Sequence, residues 1–386
     1  MKRAVVVGSG IAGLAAALRL GRDGWRTLVV ERAPTRRSSG YMVNLHGTGY
    51  DAADALGLVP NLKERAIGLF TTVLVRADGR PKVTMPPTFA EGALGARSLM
   101  VFRGDLEAVL YDAARNHGAE FRFGTTVSAI DQTTERVRVT LSDGSAEEAD
   151  LLIGADGVHS ATRKAVFGAG YEVDLPFIVA AFSLAEPVAG VPESSAMTFI
   201  GTGRTAGIVN LGPKQSSAFF TYRCDDPASE LARGPVAALR TAYGDLVAGV
   251  PEVIRQLERD PGNAYFDRVS KVVMPRWSTG RVVLVGDSAW CVTLFAGHGA
   301  ALALAGADRL GEALRRHGDD VPAALAAWEA DLRPEVTKRL ELARRGMYYY
   351  APPSRFHVWM NDLMVRVITL PGVRTLVQRG IERQLT

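Results

Sequence analysis

"RAVVVGSGIAGLAAALRLGRDGWRTLVVERA", Arg3 to Ala33, is the stretch from which the fold is read. Ala4 to Val7 is a short apolar run of the kind buried on both faces of a parallel sheet. Gly8, Gly10 and Gly13 follow as G-x-G-x-x-G at the turn into an alanine- and leucine-rich helix. Asp23-Gly24 ends that helix, and Thr27 to Val30 makes a second strand that closes on Glu31. Gly8 permits the sharp turn, Gly10 lets a pyrophosphate approach the backbone, and Gly13 lets the helix pack closely on the strand. The helix N-terminus offers free N–H groups and a partial positive charge to phosphates. Glu31, eighteen residues after Gly13, is placed to accept hydrogen bonds from an adenosine ribose. NAD and FAD both satisfy this geometry.

Further along, two segments repeat the pattern of a buried strand ending in an acid. "ADLLIGADGVHSATR" (Ala149 to Arg163) carries Asp156-Gly157, and "RVVLVGDSA" (Arg281 to Ala289) carries Asp287. In open α/β sheets ligands bind beyond the carboxyl ends of the strands, so Glu31, Asp156 and Asp287 fall along one edge. Gly297 to Ala300 then opens a long helix whose unpaired N–H groups point into the same crevice. Arg103 precedes an amphipathic helix with Leu106, Val109, Leu110 and Ala113 on one face. Spacing alone leaves Arg103 open between a solvated residue and a cofactor contact.

Composition narrows the class. The chain has 386 residues, 47% hydrophobic and 22% charged, with a net charge of +4. That length corresponds to roughly two to three domain-sized units. The basic residues are scattered, with Arg36-Arg37 the densest early pair, so no nucleic-acid partner is expected. Cys224 and Cys291 are too few for a disulfide framework or a zinc site, and a cytoplasmic location is the expectation. No apolar run is long enough to span a membrane. His46, His159 and His298 lack ligand spacing, and no metal is expected.

Together, "GSGIAG" with Glu31, Arg103, "DLLIGADGVHSATR" and "GRVVLVGDSA…GHG" resemble the FAD-dependent aromatic hydroxylases, the flavoprotein monooxygenases of the para-hydroxybenzoate hydroxylase type. Within that family the chain is most similar to natural-product tailoring and tetracycline-inactivating members. "SSGYMVNLHGTGYDAADALGL" is similar to their flavin-side loop and the helix after it. The resemblance implies an α/β fold: a Rossmann-like FAD-binding domain (1–70, 100–170 and 273–345), an inserted antiparallel β substrate domain (71–99 and 171–272), and C-terminal helices (346–386). It also implies that Gly8, Gly10, Ile11, Ala12 and Gly13 hold the FAD pyrophosphate, and that Glu31 and Arg32 hold the adenosine. Arg103 would meet the ribityl–phosphate region, Asp156 would serve both FAD and NADPH, and Asp287 would bind the ribityl chain. Backbone at Gly299 and Ala300 would hold the isoalloxazine ring.

The implied partners are NADPH or NADH as a transient reductant, dioxygen and a bulky aromatic or polyketide-like small molecule, in a monomer or homodimer. The implied reaction runs through a flavin hydroperoxide and needs no protein nucleophile, so no catalytic residue is assigned. "GTGRTAG" (residues 201–207) is no second dinucleotide motif, because its spacing is wrong and it lies among β segments. Trp290 stands where the family usually carries histidine, Thr293-Leu294 where it carries prolines, and His298 between the glycines. Trp290 is therefore expected to add bulk at the cofactor's edge. Hydroxylation, epoxidation and Baeyer–Villiger insertion all stay open, as does a flavin-dependent cyclase or reductase that transfers no oxygen. A dinucleotide-binding sensor is the non-enzymatic alternative.

Met42, Phe220, Tyr222, Trp290, Leu294 and Phe295 are the candidate substrate-pocket residues. In "AFFTYRC" the alternation is read as placing Phe220 opposite Phe219 and Tyr222. The C-terminal "FHVWMNDLMVRVITLPGVRTLVQRGIERQL" predicts two amphipathic helices broken at Pro371-Gly372. Trp359, Leu363, Val367 and Leu370 form a stripe expected to pack against the parent domain. A lid and a membrane-surface helix are the minority readings.

Overall fold

The computed structural model describes residues 1–36, 41–88, 97–212 and 215–369. Among them, six strands form one sheet in the order β17-β18-β11-β1-β2-β7. These are β1 (Arg3–Val7), β2 (Arg26–Glu31), β7 (Glu120–Phe123), β11 (Leu151–Gly154), β17 (Ser278–Thr279) and β18 (Val282–Leu284). All are parallel except the edge strand β17. The second strand is one residue longer at each end than the sequence predicts.

The sheet's two faces follow the period-two alternation of its strands. Ala4, Val6, Val29 and Ile153 pack under α1 (Ile11–Arg22), α4 (Arg103–Asn116) and α10 (Gly299–His317), with α2 (Thr48–Ala55) and α3 (Val59–Lys63) alongside. Val5, Val7, Leu28 and Leu152 instead meet Val137 and Val139 of a three-stranded sheet. That sheet consists of β8 (Val127–Gln132), β9 (Val137–Leu141) and β10 (Ala146–Ala149). Alanine and glycine make up five of the nine buried residues of α1, which lets α10 lie close against it.

A seven-stranded sheet forms the second layer, in the order β16-β12-β15-β14-β13-β4-β5. Its strands are β4 (Thr71–Val75), β5 (Pro81–Met85), β12 (Glu172–Leu184), β13 (Ser195–Gly201), β14 (Arg204–Asn210), β15 (Ser216–Arg223) and β16 (Tyr265–Val272). Every pairing is antiparallel except β13 with β4. The "GTGRTAG" segment is the tight β13–β14 hairpin.

One face of this sheet is sealed by α7 (Pro235–Tyr243) and α8 (Val250–Arg259), with α6 (Pro227–Arg233) at the margin. The other face meets the turn Leu294–Ala296 and the end of α11 (Val321–Tyr350). A two-stranded ribbon, β3 (Met42–His46) with β6 (Ser98–Phe102), lies between the layers in sequence. Helix α5 (Ala161–Phe167) follows β11, α9 (Asp287–Trp290) follows β18, and α12 (Arg355–Ile368) ends the described chain. The second predicted C-terminal helix lies outside the described residues.

Candidate functional site

The crevice lies where the parallel strands end. Gly8 takes a φ of +104°, and a Cβ there would stand 2.5 Å from the carbonyl oxygen of Ala155. A Cβ on Gly13 would stand 2.0 Å from the Gly8 oxygen, so α1 rests directly on the turn. Gly10 differs. Its Cβ would point into open space, with only the Arg103 guanidinium, at 3.9 Å, within 4 Å. That space above the α1 N-terminus is where a diphosphate fits the backbone.

Glu31 reaches back to this turn. One carboxylate oxygen accepts from the Ser9 N–H at 2.8 Å and the Ser9 hydroxyl at 3.1 Å, and the other accepts from Ala33 N–H at 2.9 Å. Arg32 beside it is exposed. Arg103 is the first residue of α4. It donates to Glu107 at 2.9 Å and to the Tyr41 hydroxyl at 3.3 Å, and its cation faces Tyr41's ring.

Asp287 follows β18 through Gly286, whose φ is +64° and whose Cβ would lie 2.6 Å from that of Ala12. This close approach brings the Asp287 turn against the α1 N-terminus. Surrounding protein raises the Asp287 carboxyl's pKa, with Arg103's charge opposing the shift, yet the side chain is open to solvent. Both hold because the residue lines an open crevice deep within the molecule, and its accessibility is what a ligand would use. A Cβ on Gly299, the first residue of α10, would stand 3.9 Å from Asp287 Oδ1. Tyr265 faces Tyr41 across the same opening, ring centroids 6.3 Å apart. Spacing gave no signal for either tyrosine.

Asp156 is placed otherwise. Oδ1 accepts from the Ser160 hydroxyl at 2.5 Å, and Oδ2 accepts from Thr162 N–H at 2.9 Å and its hydroxyl at 3.0 Å. Its carboxylate thus organises the first turn of α5 at the crevice wall, much as Glu31 organises the turn at Ser9. The buried Arg163 braces that wall by donating to Ser288 O at 3.0 Å and Glu172 at 2.9 Å. His159 bridges Glu172 (2.6 Å) and Asp267 (2.9 Å), and the Asp267 hydrogen bond leads the causes that raise its pKa. The segment after β11 is thereby tied to β12 and β16 of the second layer.

At the start of α10 the two imidazoles of His46 and His298 meet, Nε2 to Nε2 at 3.0 Å. His298 Nδ1 donates to Ala296 O, so its Nε2 accepts from His46. Burial lowers the pKa of His298 to about 4. Unfolded His298 binds a proton below about 6.5 while the folded residue does not, so stability is expected to fall as pH drops from about 6.5 to about 4. Thermal melts of His298→Gln across that window are expected to show a flatter slope than the parent; an unchanged slope would assign the acid sensitivity elsewhere. Among the described residues no group of three His, Cys, Asp or Glu is arranged to hold a metal.

Three pocket expectations are corrected. Phe220 and Tyr222 lie two residues apart and share a face, and it is Phe219 that points the other way. Phe220 is fully buried behind the sheet against Phe182 and Tyr243, and Tyr222 donates to Glu230 there at 2.6 Å. Phe220→Ala is expected to cost about 3–5 kcal/mol of stability and to leave ligand binding unchanged; denaturant unfolding with a ligand titration checks both. Trp290 is not at a cofactor's edge either. It is buried under α10, in a cluster with Trp277 (4.6 Å) and Trp328 (5.7 Å).

Leu294 and the buried Phe295 join Phe177, Val179, Phe219 and Tyr350 on the sheet face that meets α11. Phe177 and Phe295 stand edge to face at 5.3 Å. Met42 lies partly open on β3, on the same side of the strand as Asn44 and His46.

Several polar atoms near this region are buried without protein partners: Asn44 Oδ1, His46 Nδ1 and Thr293 Oγ1. Thr293 also holds a positive φ of 67°, a strained state for a β-branched residue. With the open cradle at Gly10 and the accessible Asp287, these orphaned groups fit a large polar cofactor laid along the crevice.

Fold and site together define a flavin-dinucleotide-binding α/β protein with an inserted β-sheet. Comparison with known proteins agrees: the FAD binding domain family matches residues 2–342, and the chain belongs to that family. An uncharacterised Mycobacterium tuberculosis protein is 30% identical over 352 residues, covering 88% of this chain and 91% of its own. The FAD-dependent monooxygenase asL6 of Sarocladium schorii is 28% identical, covering 97% of this chain and 94% of its own. The solved structure of the tetracycline destructase Tet(51) superposes with a TM-score of 0.78 at 26% identity, over 96% of this chain and 99% of that one. The chain is an FAD-dependent monooxygenase of this family. No helix among the described residues is long and apolar enough to cross a membrane.

Proposed function

We propose that the protein uses NADPH or NADH and dioxygen to insert one oxygen atom into a bulky aromatic or polyketide-like small molecule. The observation that carries this reading is the convergence of Gly10's open cradle, Arg103, Asp287 and the α10 N-terminus on one crevice. Bound FAD supplies electron transfer from the nicotinamide and activation of dioxygen. The chain's own residues bind and orient it. The turn Gly8–Gly13, with the α1 N-terminus, takes the diphosphate; Glu31 takes the ribose near Ser9. Arg103 and Asp287 flank the polyol, and the first N–H groups of α10 at Gly299 and Ala300 face the ring's pyrimidine edge, where they favour negative charge.

A substrate would lie between this edge and the sheet face where the partly buried Phe219, Leu294 and Tyr350 pack on the buried Phe177 and Phe295. That face excludes water, which the chemistry requires. His298 stays neutral there, so it places no cation beside the ring. A bulky, flat, largely apolar molecule suits such a wall, and the similarity to the tetracycline destructase Tet(51) supports that size class.

The test is substrate-stimulated NADPH oxidation in air, with product analysed after reaction under isotopically labelled dioxygen. Incorporation of one labelled atom is expected. Product formed at full rate without NADPH or dioxygen would replace this reading with a cyclase or other non-oxygenating flavoprotein.

A further inference from the structure

Helix α12 turns its apolar side outward. Phe356 is 61% exposed, Trp359 57%, Met360 44%, Leu363 44%, Met364 46% and Val367 41%. At 100° per residue these fall on one continuous arc. The inner face is already satisfied. Val365 is buried with Leu74 and Ile200, Asp362 pairs with Lys82 at 3.0 Å, and Asn361 donates to Tyr348 O and Tyr349 O. The helix is therefore firmly docked on β4, β5 and β13, and the exposed stripe is its designed outer surface. This overturns the expectation that Trp359, Leu363 and Val367 pack against the parent domain.

Charge decides what covers the stripe. Arg355 and Arg366 are exposed along one edge of the arc, and the helix's single acid, Asp362, is spent on Lys82. A second copy would bring the same cations to the same face. Its contact would also be small. A 14-residue helix is about 21 Å long and about 10 Å wide, well under the ~800 Å² per partner of a stable protein interface. An anionic bilayer complements both features: apolar side chains sink about 5–10 Å into the headgroup boundary while arginines meet lipid phosphates.

We propose that α12 docks the protein in the plane of an anionic membrane surface, with Phe356, Trp359, Leu363 and Met364 inserted and Arg355 and Arg366 at the headgroups. The docking does not depend on the oxidation chemistry and is tested apart from it. The FAD-loaded full chain is sedimented with vesicles of mixed phosphatidylglycerol and phosphatidylcholine, and with phosphatidylcholine alone. Binding to the mixed vesicles, weakened by salt, is expected, with a blue shift in tryptophan emission that Trp359→Phe removes. The double substitution Leu363→Glu/Met364→Glu, on exposed positions the fold does not need, is expected to reduce partitioning tenfold or more. Arg355→Gln and Arg366→Gln are each expected to weaken it by about fivefold. Wild-type protein that stays with the supernatant, or a Leu363→Glu/Met364→Glu variant that binds like wild type, overturns the proposal. So does a dimer, seen by sedimentation velocity, that this double variant abolishes while vesicles bind neither form.

Discussion

Gly10→Ala is expected to purify as a folded but nearly colourless protein, while Gly13→Ala is expected to lose stability before cofactor binding can be asked about. The difference lies in what each new methyl meets. At Gly13 the methyl would stand 2.0 Å from the Gly8 carbonyl oxygen and 3.2 Å from Ala155 Cβ. Neither can swing aside, so α1 must lift from the sheet on which Leu14, Ala15 and Leu18 are buried. Such overpacking costs about 3 kcal/mol or more, a drop in Tm of roughly 4 °C or more at this size. Gly10 sits at φ −78° and ψ −178°, which alanine adopts freely, and its methyl would reach only the Arg103 guanidinium at ordinary contact distance. The apo fold should melt within about a degree of wild type, since a Gly-to-Ala change at an allowed conformation is neutral to slightly stabilising. The same methyl fills the diphosphate cradle, so FAD affinity should fall at least tenfold. Differential scanning calorimetry of apoprotein and the flavin-to-protein absorbance ratio after gel filtration separate the two effects. A Gly10→Ala protein that retains FAD would move the diphosphate away from this turn.

Asp287→Ala is the second large effect. A charge-assisted hydrogen bond to a polyol is worth about 1.5–3 kcal/mol, so FAD binding should weaken roughly 10- to 100-fold, with Asp287→Asn intermediate. Because the Asp287 side chain is open to solvent, its removal leaves no cavity, and the melting temperature of the apoprotein is expected to hold. Unchanged flavin retention would count against its ribityl role.

How much of this was readable from the chain depends on distance along it. The β1–turn–α1–β2 unit lies within some thirty residues, and its glycines and acid carry their own spacing; the strand and helix fall where Arg3 to Ala33 place them. Asp287 at a strand's end was legible for the same reason. Trp290 was not: it is drawn inward by Trp328, nearly forty residues on. The pairing of His46 with His298, and of Tyr41 with Tyr265, joins residues that only the closed sheets bring together. At Asp156 the Asp-Gly signature was legible, but the hydrogen bonds its carboxylate accepts from the Ser160 and Thr162 hydroxyls a turn later were not. At Phe219 to Tyr222 the period-two rule holds, and a miscount of faces misled. Trp359 was misplaced because a stripe reports that one side of a helix is apolar, without saying which way that side looks.

The packing of α1 against α10 also sets an order of events during synthesis. Residues 11–22 meet residues 299–317, so the face of the first helix that α10 covers stays open until about three-quarters of the chain has been made. β18 completes the parallel sheet only at residues 282–284, and Asp287 and the α10 N-terminus follow. The nascent chain can therefore neither finish its first layer nor recruit its flavin until translation is nearly over. Transcripts truncated before α10 should yield chains that depend on chaperones and that aggregate, however intact their amino-terminal glycine motif.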